Sequence, residues 1–146
     1  MINVVKIGVP LKYGHLADGR CNLYIAERVR RTLQNAGAFV IPIVPVQDVD
    51  YCDTKYDQFN ELTDEEKNII DEYLDMVDGI FFSGGYKITP YDRYLLERCI
   101  ERDIPTLGYV TATPESVVFD VTTIYESSFF SLQYTFNISA GLTCTF

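Results

Sequence analysis

Tryptophan is absent from the chain and histidine occurs once, at His15. A lone imidazole excludes a multi-histidine metal centre and leaves a cysteine nucleophile short of partners. The four cysteines, Cys21, Cys52, Cys99 and Cys144, are scattered without a C-x-x-C pair. Ordinary reduced thiols are therefore expected, with neither zinc ligands nor a disulfide. Long apolar runs are missing as well. No window approaches the roughly 20 apolar residues of a membrane span, and Met1-Ile2-Asn3-Val4-Val5-Lys6-Ile7 sets no basic start before an apolar stretch. The expectation is a soluble, cytoplasmic protein with no membrane partner.

Positive charge is scarce: 12 Lys and Arg stand against 21 Asp and Glu, a net charge of −9 with a pI near 4.4. Such a surface repels phosphate backbones, and only Arg28, Arg30 and Arg31 gather on one expected helix. No nucleic-acid partner is expected. Neither a G-x-G-x-x-G run nor a P-loop lysine follows any candidate strand, which argues against a phosphate or nucleotide binder. No cofactor and no metal are expected.

What is present fits one globular domain of 146 residues, 47% of them hydrophobic. Val4-Val5-Lys6-Ile7-Gly8-Val9-Pro10 reads as a buried parallel strand, being short, β-branched and ended by proline. From Asn22 to Ala36 the apolar positions Leu23, Ile25, Ala26, Val29, Leu33 and Ala36 recur at helical spacing, and Gly37 stands where a C-terminal cap belongs. Phe39-Val40-Ile41-Pro42-Ile43-Val44 predicts a second strand. Residues 45–62 form a long connection of polar, acidic and aromatic residues without a clear period, and such loops tend to be functional or mobile.

Thr63-Asp64-Glu65-Glu66 is a capping-box pattern opening a helix to about Met76. Asp78-Gly79-Ile80-Phe81-Phe82 is a third strand running into Ser83-Gly84-Gly85, a helix over 90–102 follows, and Ile104-Pro105-Thr106-Leu107-Gly108 gives a fourth strand. Strands and helices at this spacing predict right-handed crossovers into one parallel sheet. The fold class expected is α/β: a three-layer, flavodoxin-like open sheet with helices on both faces, truncated, and followed by a β-prone tail.

Residues 1–110 are read as this α/β domain and 111–146 as an atypical tail. All 12 Lys and Arg lie at or before Arg102, and from Asp103 onward only Asp103, Glu115, Asp120 and Glu126 are charged. Two runs, Val117-Val118-Phe119-Asp120-Val121 and Phe129-Phe130-Ser131-Leu132-Gln133-Tyr134-Thr135-Phe136, have strand propensity with no helix pattern between them. The tail reads as a hairpin on the sheet edge, as a segment that pairs with another chain and drives self-association, or as sequence that does not fold; a frameshift near Gly108 would make it out-of-frame sequence.

Ligands of open parallel sheets bind beyond the C-terminal strand ends. The loops 11–21, 83–89 and the residues after Gly108 qualify. Gly84 and Gly85 let backbone N–H groups turn toward an oxyanion without side-chain obstruction; a plain tight turn is the simpler reading of the same pair.

Four segments in order, Ile7-Gly8-Val9-Pro10, Ala36-Gly37-Ala38-Phe39-Val40-Ile41-Pro42, Val77-Asp78-Gly79-Ile80-Phe81-Phe82-Ser83-Gly84-Gly85 and Asp103-Ile104-Pro105-Thr106-Leu107-Gly108, resemble the γ-glutamyl hydrolase branch of the class I glutamine amidotransferase-like proteins. That branch includes the γ-glutamyl-γ-aminobutyrate hydrolases. The resemblance spans about 4–108 and implies acyl transfer from a γ-glutamyl or glutamine-like small molecule to a cysteine, then hydrolysis. It also implies a glycine elbow carrying that cysteine after the fourth strand, with His and Glu partners later in the chain. By position it assigns substrate binding to Gly84, Gly85 and Tyr86.

This chain reads Gly108-Tyr109-Val110-Thr111-Ala112 at the elbow, so Val110 occupies the nucleophile position. No His follows, since His15 lies in the first loop. Other candidates do not replace it. Cys99 sits on the apolar stripe of its helix, Cys144 has no histidine in its sequence context, Ser116 lacks a G-x-S-x-G setting, and His15 reads as a solvated loop residue. The expectation is an amidotransferase-like protein without turnover; the alternative is a non-catalytic small-molecule-binding or protein-interaction module on the same fold.

Overall fold

The computed structural model describes residues 4–83, 88–110, 133–137 and 141–145. Among the described residues the strands are β1 (Lys6–Pro10), β2 (Lys12–His15), β3 (Cys21–Tyr24), β4 (Phe39–Ile43), β5 (Gly79–Phe82), β6 (Thr106–Val110), β7 (Gln133–Asn137) and β8 (Gly141–Thr145). The α-helices among them are α1 (Glu27–Asn35), α2 (Asp64–Asp75) and α3 (Pro90–Glu101), with a 3₁₀ turn at Tyr56–Gln58.

The main sheet has the order β4-β1-β5-β6-β8-β7. Its first four strands are parallel, as the uniformly apolar strand sequences predict. β8 adds antiparallel to β6, pairing Gly108 with Cys144 and Val110 with Leu142, and β7 adds antiparallel to β8. Both strands fall within 111–146, the stretch read as a tail. The runs 117–121 and 129–132 lie outside the described residues.

Helix termini follow local chemistry. At α2, Thr63 Oγ1 accepts from the Glu66 N–H at 3.2 Å and the Glu66 carboxylate accepts from the Thr63 N–H at 2.8 Å, satisfying two donors that the helix leaves orphaned. At α3, Thr89 and Asp92 do the same, with Pro90 in the first turn where its missing N–H is harmless. Gly37 takes φ +86° after α1, and the Gly37 and Ala38 N–H groups close onto Gln34 and Leu33 carbonyls.

One expected element is corrected. The helix predicted from Asn22 starts at Glu27, because Cys21–Tyr24 pairs antiparallel with Lys12–His15 as a separate two-stranded sheet. Leu23 fits helical spacing with Ile25 and Ala26, but it lies in β3 opposite Tyr13 of β2, and Ala26 is the residue that caps α1.

α2 and α3 pack over the sheet. Ile70 and Leu74 of α2 meet Tyr91, Leu95 and Cys99 of α3 and Ile43 and Ile80 of the strands in one buried cluster. Each fully buried Leu or Ile contributes roughly 1.5–3 kcal/mol of transfer free energy. Gly8 of β1 lies under this cluster, where a Cβ would stand 2.7 Å from both Ile43 Cδ1 and Ile80 Cδ1. α1 buries no residue fully and rests against β4. Among the described residues, no helix is long and apolar enough to cross a membrane.

Candidate functional site at the C-terminal edge of the sheet

The parallel strands end at Pro10, Ile43, Phe82 and Val110, and the segments beyond them build the candidate site. The connection over 45–62, expected to be functional or mobile, buries Gln47, Tyr51 and Leu62. Tyr51 is buried and stacks at a tilt on Tyr13 of β2 (5.6 Å between ring centres) and on Phe59 (5.5 Å). The Leu11 N–H donates to the Ile43 carbonyl at 3.1 Å and Tyr91 Oη donates to the same oxygen at 3.3 Å, joining the β1–β2 link and α3 to the end of β4.

Gln47 stands in the middle of this aromatic wall, 8% exposed. Its N–H donates to Tyr51 Oη at 3.3 Å and its Nε2 donates to the Asn60 carbonyl at 2.7 Å. A carbonyl only accepts, so that contact fixes which end of the amide is oxygen. Among the described residues, Gln47 Oε1 is the buried side-chain acceptor with no partner. An acceptor left so costs about 1–3 kcal/mol unless a donor reaches it.

Asp92 approaches the same wall from α3. Thr89 donates to Asp92 Oδ2 through its N–H at 2.9 Å and its Oγ1 at 2.7 Å, while burial pushes the carboxyl above the usual range against those hydrogen bonds. Burial also raises the phenols: Tyr51 to about 12, with Tyr13 and Tyr91 pushed up by burial and then by the Asp92 charge. At neutral pH these phenols are neutral hydrogen-bonding groups and are poor bases. The wall can orient a polar small molecule; it offers no activated nucleophile.

Gly84, Gly85 and Tyr86 lie outside the described residues, immediately beyond Ser83, which is buried at the end of β5. Val110 is the last residue of β6, so the fourth strand runs two residues past Gly108. Ser116 lies outside the described residues. Cys99 is a free, buried thiol pushed up to about 11 by burial, as its place on the apolar stripe predicts. The Cys144 backbone pairs with Gly108 in β8.

The expectation of four reduced thiols is corrected: Cys21 and Cys52 form a disulfide. They lie 31 positions apart in sequence, and the β2–β3 hairpin, formed where the sequence predicts a loop and a helix, brings Cys21 against the turn at 50–53. His15 is opposite Cys21 across that hairpin, and its Nε2 lies 3.0 Å from Asp53 Oδ1. His15 is thus held against Asp53 at the rim, and its strand partner Cys21 has no free thiol.

Tyr13, Gln47, Tyr51 and Asp92 were not anticipated as site residues. The density of aromatics in 51–59 was the available signal; the convergence of positions 13, 47 and 92 carries no short-range pattern. No family model matches the chain, and no curated protein matches it.

Proposed function

We propose that the chain is a non-catalytic member of the class I glutamine amidotransferase-like group that binds a γ-glutamyl or glutamine-like small molecule at the C-terminal edge of its sheet. The strand order β4-β1-β5-β6, all parallel, supports a flavodoxin-like arrangement, in which right-handed crossovers put α1 on one face and α2 and α3 on the other. Residues 1–110 are its α/β unit and the cytosol its proposed location.

The observation that carries binding is the buried, unpartnered Gln47 Oε1 within the wall of Tyr13, Tyr51 and Asp92. A glutamine-like molecule brings ammonium and amide donors for such an acceptor, and Gly84, Gly85 and Tyr86, which follow β5 in sequence, are its further proposed binding residues. Absence of turnover follows from Val110 at the nucleophile position and from a single histidine paired with Asp53.

The test is incubation of the purified chain with γ-glutamyl-p-nitroanilide, alongside thermal unfolding with glutamine and glutamate. No p-nitroaniline is released, and saturating glutamine raises the melting temperature, since a ligand at about 100 times its dissociation constant adds roughly 2.7 kcal/mol. Product release, or a glutamyl adduct on any cysteine, overturns the non-catalytic reading. An unchanged melting temperature with both amino acids overturns the binding reading.

A further inference from the structure

The disulfide lies in a group of side chains whose composition is that of a metal site. Cys21 Sγ, Cys52 Sγ and a carboxylate oxygen of Asp50 all lie within 4.8 Å of one another. Asp50 is fixed by its own turn: Oδ1 accepts from the Cys52 N–H at 2.9 Å and the Asp53 N–H at 3.3 Å. That leaves the second carboxylate oxygen for another partner. His15 is the cross-strand neighbour of Cys21, and directly opposite residues of an antiparallel pair share a face with Cβ atoms about 4.5–5.5 Å apart. Its Nε2 meets Asp53 Oδ1 at 3.0 Å.

We propose that the reduced chain holds one zinc-class divalent cation between Cys21, Cys52, Asp50 and His15, and that the disulfide is the metal-free state of the same site. Two thiolates, one imidazole and one carboxylate are a tetrahedral zinc donor set. The Cα atoms of Cys21 and Cys52 are 5.8 Å apart, so the backbone already presents both sulfurs to one point. The sulfurs move from about 2 Å apart in a disulfide to about 3.8 Å on a tetrahedral zinc, a change that side-chain rotation supplies. His15 would ligate through Nδ1 while Nε2–H donates to Asp53, the carboxylate–histidine–metal arrangement that fixes the tautomer.

The step balances without hidden reagents. A dithiol reductant gives two electrons and two protons to the Cys21–Cys52 bond, yielding two thiols and the oxidised, cyclic form of the reductant. The cation then replaces the two thiol protons, which leave to solvent. Cys21 and Asp50 are exposed and Cys52 is half-buried, so reductant and cation both have access. A disulfide of this kind in a reducing compartment is a switch rather than a permanent staple.

Cobalt(II) is the probe, added to the full chain before and after reduction with a phosphine. The reduced chain takes up one equivalent, develops a thiolate-to-cobalt charge-transfer band in the near ultraviolet with visible bands of tetrahedral strength, and releases two protons per cation. The oxidised chain shows neither band. Cys21→Ser and Cys52→Ser lose the charge-transfer band, Cys99→Ala and Cys144→Ser keep it, and Asp53→Asn weakens affinity about 10-fold or more as an orienting partner should. The proton count uses the natural sequence, so it stands even where a variant fails to fold. No charge-transfer band in the reduced chain, its persistence in Cys21→Ser, or uptake without proton release overturns the proposal.

Discussion

Arg98 of α3 donates through Nε to Oδ1 of Asp71 on α2 at 2.8 Å, with both side chains 29% exposed. Around it, Tyr94 Oη donates to Asp71 Oδ2 at 3.3 Å and Arg98 Nη1 donates to Glu101 Oε2 at 2.6 Å. The hydrogen bond to Asp71, then that to Glu101, raises the affinity of the guanidinium for its proton, so Arg98 is charged at every relevant pH. The pair bridges the two helices on the solvent side of the core. A double-mutant cycle with Arg98→Ala and Asp71→Ala, measured by urea unfolding, should give a coupling of about 1 kcal/mol, at the upper end for ion pairs with this exposure. A coupling below about 0.3 kcal/mol would mean that the bridge is not formed in solution.

Gly8 is a packing requirement of the same core. The added Cβ of Gly8→Ala would meet Ile43 Cδ1 and Ile80 Cδ1 at 2.7 Å and Val77 Cγ1 at 3.1 Å. Both isoleucines are essentially unexposed, so their side-chain ends move only by disturbing α2 and α3. Overpacking of this kind costs about 1–3 kcal/mol. Gly8→Ala should lower the unfolding free energy by that amount, seen as a lower urea midpoint at unchanged slope, and Gly8→Val by more. A midpoint unchanged in both variants would show that the cluster has room the packing does not predict.

The elements that could be read from sequence are those whose cause is local. Thr63 and Glu66 lie three residues apart and cap α2 on their own; Gly37 stops α1 because φ +86° suits a residue without Cβ. The central strands announced themselves as apolar runs between turn residues. The β2–β3 hairpin did not: Lys12-Tyr13-Gly14-His15 and Cys21-Asn22-Leu23-Tyr24 are four-residue strands, and the apolar positions from Leu23 onward continue into α1 at helical spacing. The wall that brings Tyr13, Gln47, Tyr51 and Asp92 together, and the link between Cys21 and Cys52, 31 positions apart, depend on tertiary folding. No spacing rule in a single sequence carries that information.

Asp92 makes stability depend on pH. Burial raises its folded-state pKa, opposed by the two hydrogen bonds from Thr89, whereas the unfolded side chain titrates near its ordinary value of about 3.9. A folded pKa above the unfolded one means that the folded state binds the proton more tightly. The penalty is absent below the unfolded pKa, grows as pH rises through the folded pKa, and is complete above it. Asp92→Asn keeps an oxygen to accept from Thr89 and removes the charge. Unfolding free energies across a pH series should show the variant gaining on the natural chain from about pH 4 upward. Parallel curves would place the Asp92 carboxylate in water.

Closing the Cys21–Cys52 link constrains the unfolded chain across a separation of 31 residues. On the chain-entropy account, a loop of that length is worth roughly 3.5 kcal/mol at room temperature. The link also holds the β2–β3 hairpin against the turn at 50–53, and with it Tyr13 against Tyr51. Reduction with a dithiol in the presence of a chelator should therefore lower stability by about 3–4 kcal/mol, with Tyr13 and Tyr51 fluorescence reporting the loosened wall. Cys52→Ser should reproduce the loss and be indifferent to the reductant. Alkylation in denaturant before reduction should label neither Cys21 nor Cys52, and peptide mass spectrometry reads this directly. Full labelling of both would show that the thiols stand reduced in the isolated protein, and the stability difference would then vanish with the bond.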